Sequence, residues 1–193
     1  MFYDIKDFPI LEEITRNYET INQELNAAKY QNELIRNILN PIDNSLDYYT
    51  DYWVKDNGFH EEQLGYDIRN GQYSTLAIYK KDFQIKSFDS TKLFSKTLEL
   101  IKDLPGVHYS GFFKMNPNTK LGSHKHNRKH LIFHLLLEDL KDGDCVLTCG
   151  GKSFSVKYRG DSLLFDYSYE HGSVNNSSTE RLHFIVDFDP FTK

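Results

Sequence analysis

The sequence predicts an α+β protein, with N-terminal and flanking helices leaning on an antiparallel β-sandwich or jelly roll. Three observations predict it. Leu11, Ile14, Tyr18, Ile21, Leu25 and Ala28 recur at three- and four-residue steps, the apolar stripe of a helix that packs one face. After Gly106 the chain breaks into short apolar segments separated by turn residues, the rhythm of sandwiches and jelly rolls. Two histidine groups, His124-Lys125-His126 and Tyr169-Glu170-His171, sit at the ends of such segments, where side chains from separate strands can converge.

The elements follow in order. The stripe predicts a helix to Ala28 and a second one over residues 31–39, stopped before Pro41, because a residue preceding proline avoids the helical region. Residues 41–71 are rich in Asn, Asp, Tyr and Gly and read as a long irregular connection. Tyr48, Tyr49, Tyr52 and Trp53 lie in it and are a candidate substrate wall or lid, with core packing the plainer use. Residues 72–79 and 83–88 read as strands joined by a hairpin at Lys80-Lys81-Asp82. Residues 87–103 read as a helix capped by Asp89 or Ser90, with Leu93, Phe94, Leu98 and Ile101 on its apolar face and Pro105-Gly106 ending it. Strands are expected at 107–115, 130–137, 145–149, 152–156, 162–166 and 181–188. Turn signals fall between them at Asn116-Pro117-Asn118, Asp142-Gly143, Gly150-Gly151, Arg159-Gly160-Asp161 and Asn175-Asn176. With 193 residues the chain is expected to form one domain over 1–193, a helical part with edge strands at 1–103 and a β core at 104–193.

Composition narrows the function classes. Lys and Arg total 23 against 28 Asp and Glu, a formal charge of −5, which argues against nucleic acid or an anionic membrane as partner. A small-molecule or peptide substrate is expected instead. No apolar run approaches the length of a membrane span, and the N-terminus lacks the basic and apolar regions of a signal peptide. The only cysteines are Cys145 and Cys149. On one strand they would lie roughly 13 Å apart, too far for a disulfide. Two free thiols suit a reducing, cytoplasmic setting.

Neutral imidazoles suit iron, zinc, copper or nickel, and two or three of them leave coordination positions open. On an extended strand His124 and His126 share a face. The H-x-H pair, then Gly160-Asp161, His171 and Asn175, echoes the cupin pattern. Arg181, in an apolar strand, needs an anionic partner, since an unpaired buried guanidinium is costly. A salt bridge to Asp166, Asp187 or Glu170 would meet that need, as would a carboxylate ligand. Lys125, Arg128 and Lys129 read as a solvated basic turn. His60 and His108 taken singly are expected to be surface or structural residues.

The run Leu163 to His171, with Phe165-Asp166-Tyr167-Ser168 inside it, then Val174-Asn175, Arg181 and Phe184-Ile185-Val186-Asp187, resembles the aspartyl/asparaginyl β-hydroxylase family. Leu104-Pro105-Gly106, Asn116-Pro117-Asn118-Thr119 with His124, and Cys145 with Gly150-Gly151 extend the resemblance over about residues 104–190. It implies a double-stranded β-helix, that is a cupin-like jelly roll, acting as a dioxygenase with Fe(II) and 2-oxoglutarate. It places His124 and His171 on the metal as the catalytic pair, and Arg181 on the distal carboxylate of 2-oxoglutarate. His126, at the position of the usual carboxylate ligand, becomes a candidate third metal ligand. His183, two residues after Arg181, and His134 become candidate co-substrate contacts. The chain departs from the family at Ile132, where an arginine is usual, at Phe113, where a serine is usual, and at Tyr167, where an aspartate is usual. His130, Arg128 or Lys129 are candidates to stand in for that arginine. Two other classes remain: a cupin-type metal enzyme without 2-oxoglutarate, and a non-catalytic module that has lost its grip on the co-substrate.

Overall fold

The computed structural model describes residues 1–39, 66–69, 73–82 and 84–191. The aromatic segment with Tyr48, Tyr49, Tyr52 and Trp53, and His60, lie outside the described residues.

The N-terminal stripe forms helices α1 (Pro9–Arg16) and α2 (Tyr18–Gln31), followed by α3 (Glu33–Leu39). Pro9 sits in the first turn of α1, where its missing N–H would be unpaired in any helix. The expected single helix is interrupted at Asn17, whose backbone leaves the helical region. Its side-chain amide donates to the Glu13 carbonyl at 2.9 Å, the local competition with helix continuation that asparagine offers. The stripe survives the break: Leu11, Ile14, Ile21 and Leu25 are all fully buried.

The expected helix over 87–103 is two short ones, α4 (Ser90–Leu93) and α5 (Ser95–Ile101). Asp89 caps α4, accepting from the Lys92 N–H at 3.1 Å. No side chain of its own N-cap residue caps α5. Glu24 of α2 does so instead, accepting from the backbone N–H groups of Lys96 and Thr97, both at 2.9 Å, and from the Thr97 hydroxyl at 2.8 Å.

Among the described residues, two antiparallel sheets complete the fold. The larger has seven strands: β1 (Phe2–Tyr3), β2 (Tyr66–Arg69), β3 (Tyr73–Lys80), β4 (Val107–Met115), β6 (Leu131–Leu136), β9 (Ser162–Asp166) and β11 (Arg181–Phe188), in the order β1-β9-β6-β11-β4-β3-β2. The smaller has β5 (Lys120–His124), β7 (Cys145–Cys149), β8 (Lys152–Val156) and β10 (His171–Asn175), in the order β5-β10-β7-β8. The expected α+β jelly-roll arrangement is therefore present. Residues 84–88 form no strand, so the hairpin expected at Lys80-Lys81-Asp82 is absent: Lys81 donates to the His108 carbonyl instead. The turn at Gly150-Gly151 is as expected. Cys149 pairs with Lys152 across it, and both glycines have positive φ, the geometry of a two-residue hairpin loop. Asn118 also adopts positive φ, so asparagine serves there in place of a glycine.

Both faces of the large sheet are covered. On β11, Leu182, Phe184, Val186 and Phe188 join Phe112, Leu131, Phe133, Leu164 and the helical stripe in one core. The alternate residues Arg181, His183, Ile185 and Asp187 point the other way, as strand geometry requires, and all four are buried. This inner face meets the small sheet. Ser173 of β10 donates to the Met115 sulfur of β4 at 3.4 Å, and Arg181 reaches Cys145 of β7. Cys145 and Cys149 are free and buried at the two ends of β7.

Candidate metal centre and carboxylate pocket

The register of the small sheet brings the two histidine groups together. His171 opens β10 and is the direct partner of His124, which closes β5. A bulge between His171 and Ser173 adjusts the pairing beside them. Their rings lie 4.3 Å apart between centroids. His126 lies past the end of β5, its N–H donating to the Tyr167 carbonyl at 3.2 Å. That bond turns its ring to within 5.3 Å of His124 and 5.4 Å of His171. One ring nitrogen from each of the three falls within 4.8 Å of the others.

The hydrogen bonds set which nitrogen is free. His124 Nδ1 is 2.9 Å from the Gly122 carbonyl, and His171 Nδ1 is 2.8 Å from the Tyr169 carbonyl. A carbonyl only accepts, so Nδ1 carries the proton and Nε2 keeps its lone pair. Metal-binding histidines are commonly oriented by such an outer bond. Burial pushes the His171 pKa down to about 4. The Tyr169 carbonyl opposes that shift, and His124 adds to it. Burial, then His171 and His124, bring His126 down to about 4 as well. Both imidazoles are therefore neutral near neutral pH, the state a metal requires.

Arg181 is fully buried on the inner face. Its Nη1 donates to the Cys145 sulfur at 3.0 Å, and its guanidinium lies 5.0 Å from the Phe113 ring centre. Nε and Nη2 have no hydrogen-bond partner. Among the described residues no carboxylate pairs with it. Of the expected salt-bridge partners, Asp187 bonds His130 and Tyr167, and Asp166 bonds Ser168. A buried guanidinium with two orphaned donors and dry walls is a poor structural device and a suitable anion receptor.

His134 and His183 meet beside it, Nδ1 to Nδ1 at 3.0 Å. Burial, and secondarily the Arg181 charge, hold both far below the usual histidine range. Both are neutral, so one ring donates and the other accepts. His183 Nε2 is buried and has no partner.

Ile132 lies opposite Asp187 and Phe165 on the inner face, and Phe113 packs against Tyr73 with centroids 5.3 Å apart and planes tilted by 59°. His130 is elsewhere than the co-substrate contact expected of it. Its Nδ1 is 3.0 Å from Asp187 Oδ1 and 3.2 Å from the Tyr167 hydroxyl. It precedes β6 and stands level with the chain following β11, eight residues from the row of Arg181, a separation of roughly 26 Å along a strand. His130 is therefore too far from Arg181 to share an anion with it. Arg128 and Lys129 are exposed, as expected of a solvated turn. The Tyr167–Asp187–His130 cluster is not anticipated from sequence, although the polar alternation Arg181, His183, Asp187 within an apolar strand signals a lined face.

The profile of the aspartyl/asparaginyl beta-hydroxylase family matches residues 15–190. No curated protein matches the chain. Solved structures similar to it include the cupin domain of Schizosaccharomyces pombe Cnp3, at 9% identity and TM-score 0.44, covering 68% of this chain and 72% of that one. KdgF from Halomonas sp. is 10% identical with TM-score 0.42, covering 69% and 93%. A protein described as a predicted oxalate decarboxylase from Thermotoga maritima is 16% identical with TM-score 0.40, covering 66% and 86%. Family and histidine cluster together indicate a metal-dependent enzyme of the hydroxylase type. With nearly its whole length inside the family match, this chain belongs to the aspartyl/asparaginyl beta-hydroxylase family.

Proposed function

We propose that this protein is an Fe(II)- and 2-oxoglutarate-dependent dioxygenase that hydroxylates an unactivated C–H bond of a small, amino-acid-like substrate. The observation that carries the reading is the orphaned Nε and Nη2 of buried Arg181, on the sheet face that meets the strands bearing His124 and His171.

The residues fit both groups. His124 and His171 would hold Fe(II) through Nε2, with His126 as third ligand in place of a carboxylate. Three neutral ligands leave the metal its full positive charge, which favours an anionic co-ligand. Arg181 would take the distal carboxylate of 2-oxoglutarate through Nε and Nη2, a planar fork matched to a carboxylate. With His134 donating, His183 carries its proton on Nε2 and offers that carboxylate one more donor. Phe113, Met115, Leu163, Phe165 and Ile185 are buried in the two inner-face clusters. They keep water from the guanidinium and strengthen its pairing. Ile132 contributes no charge, so Arg181 alone balances the distal carboxylate. When bound, Fe(II) and 2-oxoglutarate supply O₂ activation for C–H hydroxylation, releasing succinate and CO₂. Cys145 and Cys149 remain thiols in a reducing cytoplasm, where the protein would act.

The test is succinate formation by the pure protein with Fe(II), 2-oxoglutarate and O₂. Slow turnover without added substrate is expected, abolished in His171→Ala. Metal bound at His124 and His171 with no 2-oxoglutarate binding and no succinate would overturn the proposal.

A further inference from the structure

A second group of metal-ligating side chains lies outside the site described above. We infer that His108, His130 and Asp189 form a second cation site, one that takes a divalent transition-metal ion of the zinc class.

Three neighbouring strands of the large sheet supply the ligands. His108 is the second residue of β4, His130 immediately precedes β6, and Asp189 immediately follows β11. Because β6 and β4 both pair with β11, these three positions fall at one end of the sheet. One donor atom from each lies within 4.8 Å of the other two. Two imidazoles and one carboxylate, with positions left for water, suit zinc and its neighbours in the transition series.

His130 is held in the correct orientation. Its Nδ1 faces Asp187 Oδ1 at 3.0 Å, so the proton sits there and Nε2 is left to bind. A carboxylate behind a metal-binding histidine is the usual outer support. The Tyr167 hydroxyl donates to the other Asp187 oxygen at 3.3 Å. His130 Nε2 and Asp189 Oδ2 are 3.9 Å apart, beyond hydrogen-bond reach but suited to bridging by a cation. The His108 ring stacks on that of His130, with centroids 4.3 Å apart and planes at 27°, so the two imidazoles stand side by side at this end of the sheet. Burial, then His130, hold the His108 pKa below the usual histidine range; Asp187 opposes that shift, and Lys81 and Arg128 add to it.

The ion would tie three strand ends together. It would also adjoin the first site through Tyr167, whose ring centroid is 4.5 Å from that of His126 and whose hydroxyl touches His130.

The test is titration of Zn(II) into the metal-stripped full chain, with bound metal counted by elemental analysis after dialysis. About two equivalents are expected for the natural sequence, about one for His108→Ala and for Asp189→Asn, about one for His171→Ala, and none for His171→Ala combined with Asp189→Asn. In the His171→Ala background Zn(II) should raise the melting temperature, because a ligand that binds only the folded state stabilises it. Adding Asp189→Asn should abolish that rise. The inference falls if the natural sequence binds one equivalent that His171→Ala removes, or if His108→Ala and Asp189→Asn keep both. A missing succinate signal leaves this count untouched, so the two proposals fail separately.

Discussion

At the scale of single residues, Arg181 carries the heaviest burden. A guanidinium inside protein is tolerated only when its donors are met, and Nε and Nη2 are met by no side chain among the described residues. Replacing it with methionine removes a charge that has no counter-ion among the described residues, so the fold should hold or gain stability. The same change should raise the 2-oxoglutarate KM roughly 100-fold, since charge-assisted hydrogen bonds of this kind are worth about 3 kcal/mol. Steady-state succinate kinetics with a parallel denaturant titration checks both, and an unchanged KM would remove Arg181 from the co-substrate. His126 is a separate matter, because it reaches the cluster through a backbone bond to Tyr167 rather than through β5. His126→Ala should weaken Fe(II) binding by about 10- to 100-fold without unfolding the chain, and unchanged affinity would demote it to a neighbour.

At the scale of elements, helix α5 shows how remote a cap can be. Its first turn is satisfied by Glu24, more than seventy residues earlier in the chain, so α5 and α2 fold as a pair. Glu24→Ala leaves two N–H groups and the buried Thr97 hydroxyl without their acceptor. It should cost about 1–2 kcal/mol of stability, read as a lowered urea midpoint at unchanged slope. A loss below about 0.3 kcal/mol would mean that water replaces the carboxylate. Strand β10 makes a related point. Its sequence, His-Gly-Ser-Val-Asn, has little β-propensity, yet it pairs on both sides, with β5 and β7. Its neighbours hold it extended, and that places His171 against His124.

At the scale of the whole molecule, the pKa shifts make the fold sensitive to acid. The pKa values of His126 and His171 fall to about 4 in the folded chain, and His134 and His183 lie well below their ordinary value. The unfolded chain takes up these protons near pH 6.5. Between those limits it binds more protons than the folded one, so stability is full above about pH 6.5 and is lost as pH falls towards 4. The urea midpoint of the metal-free protein should therefore drop steadily from about pH 7 to about pH 5, and a flat profile would show that these rings are solvated. Bound metal should deepen the dependence, because protons then compete with it for the same nitrogens.

Residue order alone dictates the helical stripe, the turns at Gly150-Gly151 and Asn118, most strands of the large sheet, and the candidates His124, His171 and Arg181. Each of these is a local or periodic property: side-chain spacing, a positive φ, or a chemical type at a recognisable interval. Strands β5 and β10 escaped because they are polar and glycine-bearing, and the break at Asn17 because the stripe runs through it unchanged. Only folding could decide that Glu24 caps α5, that Arg181 has no carboxylate partner among the described residues, that His130 turns to Asp187, and that His108 stacks beside it. Such pairings are set by sheet order and register, which bring together residues remote in the chain, and nothing in the local sequence encodes which of two aspartates a buried cation or imidazole will meet.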